Sequence, residues 1–207
     1  MAKTLRTFMT VAALGFACMV FGPTSNGYAS EGKQEYASPD AALKAIYGTR
    51  MLTMREVQGD LNGDGLTDWA GVVSYVEADA TMRRLLILTR TPNGGYTLAA
   101  QSKPDVQWDS AAEELEISGK DLFANFSHGG GDHPFKWVSQ VRLYKNQWRI
   151  IGTKITSYDV DDTKSIVEDT NTLTGNKITS YMDGKRTLRV ERSKVSDTTN
   201  LLEDTTP

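Results

Sequence analysis

The chain has 207 residues, a single cysteine and a formal net charge of −3. A mildly acidic protein without a basic stripe is a poor candidate for binding nucleic acid or an anionic membrane surface, because both need clustered Lys and Arg. The cysteine lies at position 18, inside a segment that reads as a leader. A mature chain without it has no disulfide framework and no thiol nucleophile.

Residues 1–29 have the layout of an export signal. Lys3 and Arg6 supply positive charge, an apolar stretch runs from Phe8 to Phe21, and Gly27 and Ala29 form a small-x-small exit. The apolar run is too short for a stable membrane span. Cleavage after Ala29 would leave residues 30–207 and shift the formal charge from −3 to −5, since Lys3 and Arg6 are the only charges removed. The expected location is the periplasm or the exterior. Leu14-Gly-Phe-Ala-Cys18 faintly resembles a bacterial lipoprotein box. The leucine comes one place early and Phe16 is bulkier than that pattern allows, so a lipid anchor through Cys18 is the lesser alternative.

The remaining chain suits one domain with its own core. Residues 30–37 are polar and read as flexible. Ser38-Pro39-Asp40 then opens a helix: Ser38 serves as N-cap, Pro39 suits the first helical position and Asp40 favours the positive end of the helix dipole. Ala41, Ala42, Ala45 and Ile46 give it an apolar side, Gly48 ends it, and it is expected to pack over a sheet. From Met51 onward the chain reads as short strands. Leu85–Leu88 and Tyr96–Ala100 flank the turn Thr91-Pro-Asn-Gly-Gly95. Leu115–Ile117 and Leu122–Phe126 flank Ser118–Asp121, and Trp137–Tyr144 and Trp148–Ile151 flank Lys145-Asn-Gln147. Residues 154–192 read as a polar-faced strand meander, in which Lys154-Ile-Thr-Ser-Tyr158 recurs as Lys177-Ile-Thr-Ser-Tyr181. The echo is either chance or a pair of similar edge strands. The prediction is a mainly β, antiparallel domain over residues 30–192 with one short N-terminal helix, followed by a flexible tail over 193–207.

The most informative stretch is Asp60-Leu-Asn-Gly-Asp-Gly-Leu-Thr-Asp68. Side-chain oxygens fall at loop positions 1, 3, 5 and 9, on Asp60, Asn62, Asp64 and Asp68, and Gly65 at position 6 permits a sharp turn. Ca²⁺ is a hard cation that takes about six to eight oxygens, and this spacing can gather them around one point, with the carbonyl of Leu66 as a further ligand. An EF-hand would need a bidentate Glu at position 12 and a following helix. Here position 12 is Gly71, and Trp69–Val76 reads as a strand. Without a metal, the same residues would make an ordinary Asn/Asp/Gly turn.

With Asp60, Asn62, Asp64, Gly65 and Asp68 followed by a strand, the segment over about residues 57–76 resembles the calcium loops of FG-GAP and VCBS repeats. These occur in integrin-type propellers and in many exported bacterial proteins. The resemblance implies a calcium site; those families repeat the motif, whereas this chain carries one copy.

A second candidate is His128-Gly-Gly-Gly-Asp-His133, which holds both histidines. His128, Asp132 and His133 could ligate a transition metal, although a glycine loop does not fix their geometry. The bland reading is a hairpin loop between the Leu122 and Trp137 strands. An esterase oxyanion loop is rejected, because no Gly-x-Ser-x-Gly elbow is present. Trp69, Trp108, Trp137 and Trp148 are expected mainly in the core rather than on a glycan platform. Glu113, Glu114 and Glu116 read as a solvated strand edge, and Asp159, Asp161 and Asp162 as a solvated turn. The expected function is an exported calcium-binding β-rich module with a structural metal and an envelope protein or glycan as partner. A periplasmic inhibitor of a toxic enzyme is one version of it, and a purely structural envelope component that needs no specific small ligand is a separate alternative. The enzymatic alternative is a metal-dependent hydrolase at the histidine–glycine loop.

Overall fold

The computed structural model describes residues 34–77, 79–106, 111–128, 134–159, 163–195 and 203–204. Residues 1–33, which include the expected export signal and Cys18, and Trp108, Asp132, His133, Asp161 and Asp162, lie outside them. The first part of the chain forms β1 (Glu35–Tyr36), α1 (Pro39–Tyr47), β2 (Met51–Gly59), β3 (Asp68–Glu77), β4 (Ala80–Arg90), β5 (Tyr96–Gln101) and β6 (Asp105–Val106). The second part forms β7 (Ala111–Ser118), β8 (Asp121–His128), β9 (Phe135–Tyr144), β10 (Gln147–Tyr158), β11 (Lys164–Asn171), β12 (Asn176–Asp183), β13 (Arg186–Lys194) and β14 (Glu203–Asp204).

The strands build two antiparallel sheets, as expected of a mainly β chain with one helix. The first has the order β1-β5-β4-β3-β2, with β6 beside β4 and β14 beside β5. The second is a consecutive meander from β7 to β13. Short turns set its registers: Lys145 and Asn146 both take positive φ, at 51° and 60°. That backbone twist matches the flanking strands of a two-residue hairpin.

β3 and β4 are buried on both faces, so they read as continuous apolar runs rather than as an alternation. The alternation appears in what each face touches. Ala70, Val72, Leu85 and Ile87 meet Leu122, Val141, Trp148 and Ile150 of the second sheet. Trp69, Val73, Leu86 and Leu88 meet Ala42 and Leu43 of α1 on the opposite side. The result is three layers: helix, first sheet, second sheet.

α1 starts as expected, with Ser38 Oγ accepting from the Ala41 N–H at 3.1 Å and Gly48 closing the helix at φ 74°. Its buried residues are Ala42 and Leu43, whereas Ala45 is exposed. The expected apolar side was thus rotated by about one residue, because the larger Leu43 takes the place against Trp69 and Leu86. The polar stretch before the helix contains β1, whose Glu35 and Tyr36 pair with Thr97 and Tyr96. The expected tail begins in strand, since β13 continues through Lys194 and β14 pairs with Ala100 and Gln101. The two Lys-Ile-Thr-Ser-Tyr segments lie in β10 and β12, both interior strands, so neither is an edge.

The second sheet outruns the first. Along one face, the cross-strand row Trp137, Ile155, Glu168, Thr179, Glu191 turns from apolar to polar where β11 begins. On β11–β13 that face carries the Lys177–Glu168 ion pair and an Arg189–Glu191 pair. Neither apolar core includes a residue of these three strands.

Candidate metal centre

The loop of residues 60–67 joins β2 to β3 at the end of the sandwich. Its second residue, Leu61, is 1% exposed and sits in the core shared by both sheets. That apolar wedge pins an otherwise polar loop. Gly63 and Gly65 take φ of +86° and +83°, in the left-handed region where a side chain is strained, and so permit the two reversals.

Around these turns the side chains fold the backbone about themselves. The Asp60 carboxylate accepts from Gly63 N–H at 2.6 Å and from Gly65 N–H at 3.0 Å. Asn62 Oδ1 accepts from Asp64 N–H at 2.9 Å, and its Nδ2 donates to Asp64 Oδ2 at 2.9 Å. Asp64 Oδ1 accepts from Leu66 N–H at 2.7 Å. Asp60, Asn62 and Asp64 are therefore brought together on the outer side of the loop.

Asp68 is placed differently. It is 0% exposed and lies beneath the loop at the start of β3. Its Oδ2 accepts from Leu61 N–H at 2.9 Å and Asn62 N–H at 3.2 Å, and its Oδ1 from Arg90 N–H at 2.9 Å. Burial pushes its carboxyl pKa up, the three backbone N–H groups oppose that, and the charge of Asp64 adds to the rise. A carboxylate offers about four lone-pair directions. Three are used here, which leaves one on Oδ1. Among the described residues, no three of His, Cys, Asp and Glu converge on one point.

The donor set decides which metal the outer cluster suits. Two carboxylates and an amide oxygen, with no nitrogen or sulfur ligand, match a hard cation such as Ca²⁺ rather than zinc. Asp60 and Asp64 each retain lone pairs beyond their backbone bonds, so a cation need not break the loop's own hydrogen bonding. Position 12, where an EF-hand keeps its glutamate, is Gly71 inside β3. A methyl group there would lie 2.1 Å from Trp69 Cη2, because the indole crosses the strand over it. The Trp69 Nε1–H donates to Glu56 Oε2 at 3.0 Å. The EF-hand ligand is thus sterically incompatible with this strand.

The other candidates lie elsewhere in the chain, several of them outside the described residues. β8 and β9 form the expected hairpin, and His128 closes β8, but residues 129–133 and the His128 side chain lie outside the described set. Trp69 and Trp148 are core residues, as expected, while Trp137 is half-buried. Glu114 and Glu116 are exposed on β7. Asp159 accepts from Lys164 N–H at 3.1 Å and from the Thr163 hydroxyl at 3.2 Å, while Asp161 and Asp162 lie outside the described residues.

Two arrangements had no signal in the sequence. Arg83 is 3% exposed, with its guanidinium 4.0 Å from the centre of the Phe126 ring. Asp121, on the outer face of the second sheet, accepts from Arg142 and from Gln140 Nε2, the latter at 2.8 Å. Among the described residues, no helix is long and apolar enough to cross a membrane. In comparisons with known protein families, curated proteins and solved structures, the chain matches none.

Proposed function

We propose that the chain is an exported β-rich module whose Asp60–Asp68 loop binds one calcium ion, and that the ion is structural. The observation that carries this reading is the outward grouping of Asp60, Asn62 and Asp64 around two left-handed glycines. Asp60, Asn62 and Asp64 would supply side-chain oxygens, the Leu66 carbonyl a backbone oxygen, and Asp68 its one unused lone pair. The likeness to FG-GAP and VCBS loops supports the same assignment. Calcium supplies positive charge and oxygen coordination, which would hold the β2–β3 connection against the joint core through Leu61. The partner would be an envelope protein or a surface glycan, met by a surface that the metal stiffens.

The test is a calcium titration by calorimetry on residues 30–207, with Asp64→Ala as control. One ion should bind, with a dissociation constant of about 10⁻⁴–10⁻³ M as in extracellular modules. At ten times that constant the fold should gain about 1.4 kcal/mol. Asp64→Ala should lose both effects. Heatless titration at millimolar calcium would reduce the loop to a turn.

A further inference from the structure

The tip of the β7–β8 hairpin reaches the loop from the opposite sheet. A methyl group on Gly63 would lie 2.0 Å from Lys120 Nζ, 2.7 Å from its Cε and 3.4 Å from its Cδ. The end of the lysine side chain is therefore laid across the Gly63 backbone. The Gly63 N–H in turn donates to Asp60 at 2.6 Å. The hairpin is seated here by more than one contact: a methyl on Gly59 would meet Ile117 Cδ1 at 3.0 Å. Leu61 shares a core with Leu122, two residues beyond Lys120. The loop carries the formal charges of Asp60, Asp64 and Asp68, and Lys120 brings a positive charge onto it from the other sheet.

We infer that Lys120 is the loop's internal counter-cation and sets its affinity for calcium. The inference rests on the calcium reading above. In the metal-free protein the ammonium offsets the repulsion among the carboxylates. A bound calcium ion must displace the ammonium or bear its repulsion, so calcium and the seating of the β7–β8 tip oppose one another. Glycine at position 63 is what makes room for the lysine, and it serves the left-handed turn as well.

The experiment uses the full exported chain and two variants, Lys120→Met, which keeps the stem and drops the charge, and Lys120→Arg, which keeps the charge. A divalent and a monovalent charge about 6 Å apart in water repel by roughly the equivalent of a tenfold change in binding constant. Calorimetry should therefore show Lys120→Met binding calcium about tenfold more tightly, with Lys120→Arg close to wild type. In chelator, a double-mutant cycle between Lys120→Met and Asp60→Asn should be non-additive, because the ammonium lies against Gly63, whose N–H the Asp60 carboxylate holds. Calcium binding by the wild type with unchanged affinity in Lys120→Met overturns the inference, and so does an additive cycle. If neither protein binds calcium while the cycle stays non-additive, the calcium reading itself fails. The exchange of lysine for calcium falls with it, and Lys120 is left as a plain neutraliser of the loop.

Discussion

Asp68→Ala and Asp64→Ala separate the two jobs done by carboxylates of one loop. Asp68 is buried and satisfies three backbone donors, those of Leu61, Asn62 and Arg90. Its removal orphans the Leu61 N–H in the interior and takes the acceptor from the part-buried Asn62 and Arg90 N–H groups. An unsatisfied buried donor costs about 1–3 kcal/mol. Part of that is returned, since a charge no longer has to be buried. The net loss should be about 3 kcal/mol, or roughly 6–12 °C in Tm for a domain of this size. Asp64 is exposed and bonds only within the loop, to Leu66 N–H and Asn62. Asp64→Ala should cost no more than about 0.5 kcal/mol in the absence of metal. Urea denaturation in chelator and again in millimolar calcium tests both. Asp68→Ala should be destabilised in both buffers, and Asp64→Ala should differ from wild type only in calcium. An Asp68→Ala protein as stable as wild type in chelator would refute the view that this side chain holds the loop from below.

Trp69→Ala should cost about 3–5 kcal/mol, since the indole is fully buried between α1 and the first sheet; urea midpoints measure it. Gly71→Ala places a methyl against that indole and should cost about 1–3 kcal/mol, with no relief from calcium. The hydrogen bond from Arg142 holds the Asp121 carboxyl below its ordinary value, with Gln140 helping. Stability from this group is complete above the unfolded carboxyl value of about pH 4 and is lost as pH falls through the lower folded value. Asp121→Asn should flatten that part of the acid limb. Its cost at neutral pH should stay under about 1 kcal/mol, because the Arg142 side chain is 44% exposed and screened. Denaturation midpoints at several pH values check this, and an unchanged limb would count against the pair.

Local chemistry was readable in this chain wherever a residue's role depends on its sequence neighbours. Ser38, Pro39 and Gly48 bracket the helix through capping, and Asn146 and Gly119 mark hairpins through the backbone angles they tolerate. The cluster of Asp60, Asn62 and Asp64 is legible for the same reason, since all three lie within one turn of chain. The place of Asp68 was not. Position 9 of the loop and the first residue of a buried strand coincide there, and only the second role takes the side chain inward. Leu61 was a missed clue, because an apolar residue at position 2 of a polar loop needs somewhere to go. Lys120, Arg83 and the Asp121–Arg142 pair depend on which strands become neighbours, and no local pattern encodes that. Of the two readings of the repeated Lys-Ile-Thr-Ser-Tyr, the edge-strand one fails, since β10 and β12 are both interior; Ile155 and Ile178 also face opposite sides of the sheet, so the echo marks no shared environment.

The overhang of β11–β13 gives the molecule an uneven resistance to opening. Each of these strands is held by its neighbours' ladder bonds and surface pairs, and among the described residues neither apolar core reaches them. Such an array peels from its free end, one strand at a time, as a zipper does. Amide protection should fall in steps from β10 to β13. The large apolar side chains exposed there, Leu188 and Val190 on β13 and Ile178 on β12, ride on the part that parts company first. The basic side chains of β13, Arg186, Arg189, Arg192 and Lys194, then act as a guard rail that keeps a loosened edge from zipping onto another copy.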